Sequence, residues 1–424
     1  MKQITKRTVC GDTLWEAVHE SGLRVMIYPK EKYSTTYAMF STAYGSIDET
    51  FARGDEDFVT VPAGIAHYLE HKMFENEGED AFERYARTGA SANAYTTFDK
   101  TCYLFSCSKR FMESLEILLD FVQRPYFTPE TVQKEQGIIA QEIRMGEDHP
   151  AHKLIWNLLE DVYESHPVRI SIAGTVESIA KIDDQLLYRC YHTFYHPSNM
   201  VVTVAGNADP EAVLALVDRM VPTMPAPEIR RQFPQEPRTV MQKRRVETAP
   251  VALPMFAVGY KEDAAGRKTE EELSATDLLL RILIGNTSPL YRRLQEQGLV
   301  NDEFDAEYLE GPGYAMVMVS GESCDPDRVV DELNREVARL RREGIPEEDF
   351  ECARRAAYGC AIAAYSNVGT LCNVMTDCAL GGRPFGVEQE ILHTMTRERV
   401  EQRLQEELDP DRMAVSILVP PEEF

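Results

Sequence analysis

The sequence predicts an α+β protein built from two duplicated domains that a proline-rich linker joins. The chain has 424 residues, which is too long for one ordinary hydrophobic core. Short runs typical of strands are interspersed with longer segments of helical periodicity. Prolines cluster between Pro222 and Pro254, and the order of elements before this cluster recurs after it. We therefore expect domains at 1–221 and 251–424, with the linker at 222–250.

The first half of the chain is predicted to begin with two strands, and these precede a helix that contains residues 64–71. A second helix around 80–88 follows. A strand pair then turns at Asp99-Lys100. The remaining predicted elements of this half are strands at 23–28, 36–44, 90–98, 101–107 and 200–206 and helices at 110–123, 128–146, 152–164 and 210–221.

The second half repeats the first. A strand around 314–319, a helix at 326–342 and a helix start at 345–350 follow the same order as elements about 213 to 217 residues earlier. A strand at 251–260 and a helix at 270–284 precede them. Between the halves, the prolines of 222–254 are expected to interrupt any regular element.

Net charge limits the partners of this protein. The chain has 45 basic and 70 acidic residues, which give a formal charge of -25. Such a charge repels phosphate backbones and anionic lipids, so we expect neither nucleic acid nor a membrane as a partner. Two interpretations of the charge stay open, a negative cavity that concentrates basic peptides and a surface that keeps the protein in solution.

Targeting signals and disulfide patterns are also missing from the sequence. No apolar run approaches the roughly 18 residues of a membrane-spanning helix, and no apolar segment follows the basic residues at the start. The nine cysteines are scattered and form no C-x-x-C pair, which argues against a disulfide framework or a cysteine zinc site. We expect reduced thiols and a cytoplasmic location.

One motif in the first half predicts a metal centre. His67 and His71 are four residues apart, so on a helix they project from one face, with Glu70 beside them. Imidazoles are preferred zinc ligands, and an unligated carboxylate beside the metal can take a proton from a water. We therefore predict that His67 and His71 bind zinc and that Glu70 acts as the base.

An exposed helix with two solvated histidines is the simpler alternative for this motif. Against it, Ala66, Leu69, Met73 and Phe74 make the segment partly apolar, and such a helix is expected to lie against a core.

The order H-x-x-E-H is the reverse of H-E-x-x-H, and this chain resembles the M16 metallopeptidases. The resemblance implies a third ligand further along the chain, a glutamate with another acid seven residues before it. Glu142 and Glu135 match these positions, and on a helix they share one face because seven residues make about two turns. Glu142 would then be a ligand, while Glu135 would assist Glu70 in catalysis from behind the ligands. Most glutamates on helices are solvated, so the residues alone leave this role open.

The resemblance extends over nearly the whole chain and favours the processing-peptidase-like branch of the family. It implies two M16-type domains of similar topology, with antiparallel-rich sheets packed with helices, facing each other as a bowl. It also implies that residues 91–94 form an edge strand along which Asn93 and Ala94 align the substrate backbone. In the second copy, Cys352 and Gly359 stand near the places of Glu135 and Glu142, so we expect one Zn²⁺ per chain.

One stretch departs from the family pattern. The M16 family commonly has an Arg and a Tyr in its second domain that hold the substrate carbonyl, but Gln295 and Asn301 occupy those places here. Neither supplies the charge or the phenol of the missing pair. We expect a homodimer, or a heterodimer in which an M16-like subunit supplies the Arg and Tyr. The candidates for replacing them within this chain are Arg292, Arg293, Phe304 and Tyr308.

Four other histidines are expected to be structural or solvated. His149 and His152 are separated by Pro150, which interrupts a shared helix face. His192 and His196 have helical spacing, but no carboxylate lies between them and Pro197 ends the helix.

The sequence therefore predicts a zinc-dependent endopeptidase that cleaves peptides or unfolded segments. A non-catalytic M16-like assembly subunit is the first alternative, although degenerate metal residues would be its mark and they are not found here. A metal-dependent hydrolase of small amides is the second alternative, and it would need a tight pocket in place of an edge strand.

Overall fold

The computed structural model describes residues 1–263 and 266–421. Strands and helices are mixed along this part of the chain, which confirms the predicted α+β class. The strands are β1 (Gln3–Val9), β2 (Asp12–Val18), β3 (Arg24–Pro29), β4 (Thr36–Thr42), β5 (Thr50–Arg53), β6 (Val59–Thr60), β7 (Ser91–Thr96), β8 (Thr101–Cys107), β9 (Met200–Gly206), β10 (Ile229–Arg231), β11 (Arg244–Thr248), β12 (Met255–Lys261), β13 (Asp305–Gly311), β14 (Tyr314–Glu322) and β15 (Met413–Val419). The helices are α1 (Ile65–Met73), α2 (Ala81–Thr88), α3 (Phe111–Phe121), α4 (Pro129–Glu147), α5 (Pro150–Val162), α6 (Val176–Ile179), α7 (Asp184–Phe194), α8 (Pro210–Met220), α9 (Glu270–Ile284), α10 (Pro289–Glu296), α11 (Pro326–Glu343), α12 (Glu347–Ala364), α13 (Val368–Gly381), α14 (Glu388–Thr394) and α15 (Arg397–Glu407).

The first compact unit comprises Met1–Ile143, Ser171–Gln232 and Ile362–Gly386. Its main sheet has the strand order β1-β2-β3-β9-β4-β8-β7. Strands β3 and β9 are parallel, and the other neighbouring pairs are antiparallel. This order leaves β7 at one edge of the sheet.

Both faces of this sheet are covered, and the alternation along β3 shows how. Val25 and Ile27 belong to the core that the sheet forms with α1, α3, α7 and α8. Met26 and Tyr28, on the opposite face, pack into a second core with α13. A sheet that is buried on both faces needs apolar residues at successive positions, and this explains why the central strands were predictable from apolar runs.

The second compact unit comprises Arg144–Ile170, Phe233–Ala361 and the described residues from Val387 onward. Its sheet has the order β11-β15-β12-β14-β13, with β11 and β15 parallel and the other pairs antiparallel. Residues of α9, α11, α12 and α15 cover one face. Helix α5 approaches the other face so closely that a Cβ on Gly259 would lie 3.1 Å from Val162 and 3.3 Å from Leu158.

Matching topology supports the predicted duplication. The order β3-β9-β4-β8-β7 of the first unit corresponds strand by strand, in order and direction, to β11-β15-β12-β14-β13 of the second. The connecting helices follow the same sequence, so α1, α3, α4 and α5 correspond to α9, α11, α12 and α13. Among the residues that the structure describes, only the first unit adds the β1-β2 hairpin to this pattern.

Each unit contains one helix from the other half of the chain. Helix α5 belongs to the second unit, where it packs on β12 and β15, and its counterpart α13 belongs to the first unit, where it packs on β4 and β9. Compact units that exchange helices need not follow the sequence repeats. The ranges 1–221, 222–250 and 251–424 therefore stay a prediction of the domain boundaries along the chain.

Two expectations about regular structure were wrong. Six strands, not two, precede α1 in the structure. Strand β1 is largely exposed and polar, so it carries no apolar signal, and its hairpin turns at Cys10 and Gly11, both at positive φ. The stretch 222–254 contains β10 and β11, which pair with β5 and β15 because each fits between successive prolines.

Candidate metal centre

Helix α1 begins at a glycine that no other residue could replace without strain. Gly64 has a φ of 90°, and a Cβ at this position would lie 2.4 Å from the carbonyl oxygen of Ala173. Beyond it, Ile65, Leu69 and Met73 are buried in the core of the first unit. These contacts fix the rotation of the helix, and they confirm that the segment lies against a core instead of being an exposed helix.

Three predicted ligand side chains converge at one point. The Nε2 atom of His67 lies 3.5 Å from Oε1 of Glu142, and Nε2 of His71 lies 3.5 Å from Oε2 of the same carboxylate. One potential ligand atom from each of the three residues can be chosen so that all three atoms lie within 4.8 Å of one another. Glu142 comes from α4, so two helices that are distant in sequence supply the three groups.

Glu135 fixes the tautomer of His71. Its Oε1 atom lies 3.0 Å from Nδ1 of His71. Because an ionised carboxylate only accepts hydrogen bonds, Nδ1 carries the proton and Nε2 turns its lone pair toward Glu142. The hydrogen bond from His71 lowers the pKa of Glu135 below its usual value despite partial burial, and nearby Lys72 adds to this effect. Glu135 thus supports His71 without reaching the point of convergence.

The pKa shifts of His71 and Glu142 indicate which charge the candidate metal centre favours. Burial alone would lower the pKa of His71, but the carboxylates of Glu135, Glu70 and Glu142 outweigh burial and raise it. The neighbouring imidazoles, His67 first and then His71, lower the pKa of Glu142. The site thus attracts positive charge. Two imidazoles and a carboxylate that lie this close together fit a divalent cation, and zinc takes such a set of ligands.

Glu70 lies beside the ligands and is 8% exposed. Its Oε2 atom accepts a hydrogen bond of 2.7 Å from the hydroxyl of Thr96. Burial raises the pKa of Glu70, while His67 and Thr96 oppose this shift. A carboxylate with a raised pKa is a stronger base, so its environment suits proton abstraction.

Strand β7 carries Asn93 and Ala94 at the edge of the sheet. Among the described residues, β7 pairs with β8 alone, and Asn93 and Ala94 stand opposite Leu104 and Tyr103. The backbone N–H of Ala94 donates to the side-chain oxygen of Asn93 at 2.9 Å. An added strand at this edge could accept that N–H in place of Asn93.

The second copy has no comparable group of ligands in the part of the chain that the structure describes. A cavity of about 520 Å³ lies between α9, β13 and α12, the counterparts of α1, β7 and α4. Cys352, Ala353 and Ala356 line it on α12.

Gln295 and Asn301 lie in the second unit and are both exposed. Asn301 donates to Glu322 at 2.9 Å. Three of the four candidates for replacing the missing Arg and Tyr make contacts within this unit. Arg293 pairs with Glu336, Phe304 is buried and Tyr308 donates to Glu262. The fourth candidate, Arg292, is exposed.

The other histidines make contacts that differ from those of ligands. His152 accepts a hydrogen bond of 2.7 Å from the indole of Trp156, and the Nδ1 atom of His196 lies 2.8 Å from the hydroxyl of Ser198. His192 stacks on Tyr188. His149 stands at the start of α5.

Two polar residues beside the centre were missed from the sequence. Lys72 is fully buried next to His71 and pairs with Glu75. Thr96 contacts Glu70. The alternation of β7 contains a usable signal for Thr96, since Ala92 and Ala94 on the same face pack against the core.

Comparison with known families agrees with this geometry. A profile described as "Insulinase (Peptidase family M16)" matches residues 60–176, and one described as "Peptidase M16 inactive domain" matches residues 181–357. The first match includes all the residues of the candidate metal centre.

Similar proteins span almost the entire chain. An uncharacterized zinc protease of Bacillus subtilis (strain 168), YmfH, is 39% identical over 96% of this chain and 97% of its own length. The uncharacterized zinc protease Rv2782c of Mycobacterium tuberculosis is 25% identical over 84% of this chain and 82% of its own.

Solved structures share the fold. A protein described as an M16-like peptidase, from Alicyclobacillus acidocaldarius, superposes with a TM-score of 0.93 at 39% identity and covers 99% of each chain. The periplasmic protease PqqL of Escherichia coli gives a TM-score of 0.77 at 18% identity, covering 99% of this chain and 48% of that one. Within the described residues, no helix is both long enough and apolar enough to span a bilayer.

Proposed function

This chain belongs to the peptidase M16 family, and from that premise we propose that it is a zinc-dependent endopeptidase that cleaves peptides or unfolded segments. One observation supports the proposal above the others. One potential ligand atom from each of His67, His71 and Glu142 lies within 4.8 Å of the others, with the buried carboxylate of Glu70 beside them. The zinc protease names of relatives point to the same chemistry.

In this proposal, His67, His71 and Glu142 hold one Zn²⁺. When bound, zinc supplies a Lewis acid that polarises the substrate carbonyl and makes a water more acidic. Glu135 keeps His71 in the tautomer whose Nε2 is free to bind, because its Oε1 atom accepts a hydrogen bond from the N–H at Nδ1 at 3.0 Å.

Glu70 is the proposed general base. It takes a proton from the attacking water and then gives that proton to the nitrogen of the leaving amine, so that the carboxylate is restored after each cycle. Burial raises its pKa, which strengthens it as a base.

Asn93 and Ala94 are the proposed substrate-binding residues. A peptide that adds to β7 as a further strand forms main-chain hydrogen bonds, and these do not depend on its sequence. The N–H of Ala94, now accepted by the side chain of Asn93, is the donor we expect a substrate carbonyl to take.

A partner subunit is part of the proposal. Gln295 and Asn301 lack the charge and the phenol expected at their positions, so an Arg and a Tyr would come from a second subunit, in a homodimer or a heterodimer. We propose a cytoplasmic location, because the nine cysteines are scattered without a C-x-x-C pair and such thiols suit a reducing compartment.

Cleavage of a mixed peptide library by the purified, zinc-loaded chain tests the function, with Glu70→Gln as the matched control. We expect products from the wild type and at least a hundredfold fewer from the variant, while both bind the same amount of zinc.

No cleavage by a zinc-loaded wild type, even with added M16-like subunits, would contradict the proposal. It would favour the non-catalytic assembly subunit. Cleavage of short acylated amino acids without cleavage of peptides would favour a small-amide hydrolase.

A further inference from the structure

Thr96 is the last residue of β7 and contacts the proposed base. Its hydroxyl lies 2.7 Å from Oε2 of Glu70 and 3.4 Å from the hydroxyl of Thr101, its partner across the strand pair. Thr101 donates its own proton to the carbonyl oxygen of Tyr44 at 2.8 Å. A carbonyl can only accept, so the proton of Thr101 is committed there.

The direction of the bond between Thr96 and Glu70 follows from these distances. Thr96 has one proton, and its two possible acceptors are Glu70 at 2.7 Å and Thr101 at 3.4 Å. The shorter contact ends on a carboxylate, and hydrogen bonds to charged acceptors are the stronger ones. Thr96 therefore donates to Oε2 of Glu70.

We propose that Thr96 is a positioning residue that selects which oxygen of Glu70 takes the proton during peptide cleavage. This inference rests on the proposed peptidase function. With Oε2 occupied by the hydroxyl of Thr96, Oε1 retains both lone pairs for the attacking water. In the step, an O–H bond of water breaks as an O–H bond forms on Oε1, and that proton later passes to the nitrogen of the leaving amine.

The position of Thr96 on β7 links its contact with Glu70 to the proposed substrate-binding strand. Ala94 stands two residues earlier on the same strand and the same face, a spacing of roughly 7 Å. A single rigid strand thus carries the N–H proposed to bind the substrate and the hydroxyl that holds the base. Any shift of the strand would move both together, which keeps the scissile bond and the base in register.

A purely structural role is the alternative, in which Thr96 only satisfies a partly buried carboxylate. Valine has the shape and the strand preference of threonine but no hydroxyl, and serine keeps the hydroxyl without the methyl group. Thr96→Val and Thr96→Ser therefore separate the hydrogen bond from the packing of the strand.

The test uses the full zinc-loaded chain and a peptide that the wild type cleaves. We expect Thr96→Ser to keep kcat within about twofold of the wild type, and Thr96→Val to lower kcat by about 10- to 100-fold. KM and the zinc content should stay unchanged in both variants, since neither the substrate edge nor a ligand is altered. Wild-type kcat in Thr96→Val, or equal losses in both variants, would overturn the inference.

A second readout does not depend on activity. In crystal structures of the two zinc-loaded variants, we expect the Glu70 carboxylate to keep its position in Thr96→Ser and to rotate in Thr96→Val. An unmoved carboxylate in Thr96→Val would overturn the inference even if the wild type cleaved no peptide, an outcome that would count separately against the proposed function. If Thr96→Val fails to fold, Thr96→Ala replaces it in both measurements.

Discussion

The two copies of the repeat place corresponding helices and strands around equivalent sites, but among the described residues one of these two sites alone brings three potential metal ligands together. In the first copy, α1 lies near β7 and, together with α4, brings one potential ligand atom each of His67, His71 and Glu142 within 4.8 Å of one another. In the second copy, α9, β13 and α12 surround a cavity of about 520 Å³, and Cys352 stands where the first copy has Glu135.

The two copies share a strand topology but differ in the side chains at the equivalent sites. Different residues therefore determine the fold and the chemistry. Strand order and direction match across five strands in both units. These features depend on buried apolar residues, which both copies have kept. The chemistry depends on a few polar side chains at the candidate metal centre, and a copy of the repeat can lack these side chains and still have a packed core.

The largest effect on zinc binding and activity is expected from removing a proposed ligand of the candidate metal centre. Glu142→Ala should abolish zinc binding at micromolar zinc and lower kcat/KM by at least about a thousandfold, because two imidazoles alone hold zinc weakly. Zinc titration and cleavage assays measure both losses. Gln141→Ala, at the exposed neighbouring position, is the control, and an equal loss there would show that Glu142 has no special role.

A smaller effect is expected from Glu135, and the second copy supplies the control. Glu135→Gln should weaken zinc binding by about 10- to 100-fold, because His71 loses the carboxylate that orients it. Cys352→Ala changes the counterpart in the second copy and should leave zinc affinity unchanged. Competition with a chelator measures both variants. Equal affinities for Glu135→Gln and the wild type would remove Glu135 from the centre.

Acid should abolish the proposed peptidase activity at a pH above the ordinary glutamate pKa, because Glu70 becomes protonated there. Glu70 acts as a base only when ionised, and burial raises its pKa above 4.5, so kcat/KM should fall as the pH drops through this raised value. A pH profile in excess zinc, with bound zinc measured at each point, tests this. Activity that stays constant to below pH 4.5 with zinc bound would contradict the assignment.

The smallest effect is expected from a helix that the second copy contributes to the first unit. Asn373 on α13 accepts a hydrogen bond of 2.6 Å from the hydroxyl of Tyr95 on β7. Asn373→Ala should cost about 1 kcal/mol of unfolding free energy and raise KM about twofold to fivefold, since one face of the edge strand loses its tether. Denaturant unfolding and peptide kinetics measure the two effects. An unchanged KM would mean that β7 needs no support from α13.

The residues of the candidate metal centre were easier to predict from the sequence than the fold that surrounds them. Helical spacing alone places His67, His71 and Glu70 together, and this needs no tertiary information. Glu142 lies 71 residues beyond His71 in the chain, so its approach depends on how α4 packs on the core. Thr96 was missed for the same reason, because its contact with Glu70 joins a strand to a helix.

Elements without apolar patterns were the hardest to predict. Strand β1 is held by pairing with β2 while most of its side chains face solvent, and sequence periodicity cannot detect this. The exchange of α5 and α13 between the units was not foreseen either. An amphipathic helix shows in its sequence that it will cover a sheet, but not which of two similar sheets it will cover.

Counting the zinc ions bound by the purified wild-type chain tests most directly whether the first copy binds metal and the equivalent site of the second copy does not. Native mass spectrometry after saturation with zinc and removal of the excess should show one ion per chain, and Glu142→Ala should show none. Two tightly bound ions per chain, or one ion that persists in Glu142→Ala, would contradict the proposal that the first copy alone holds the metal.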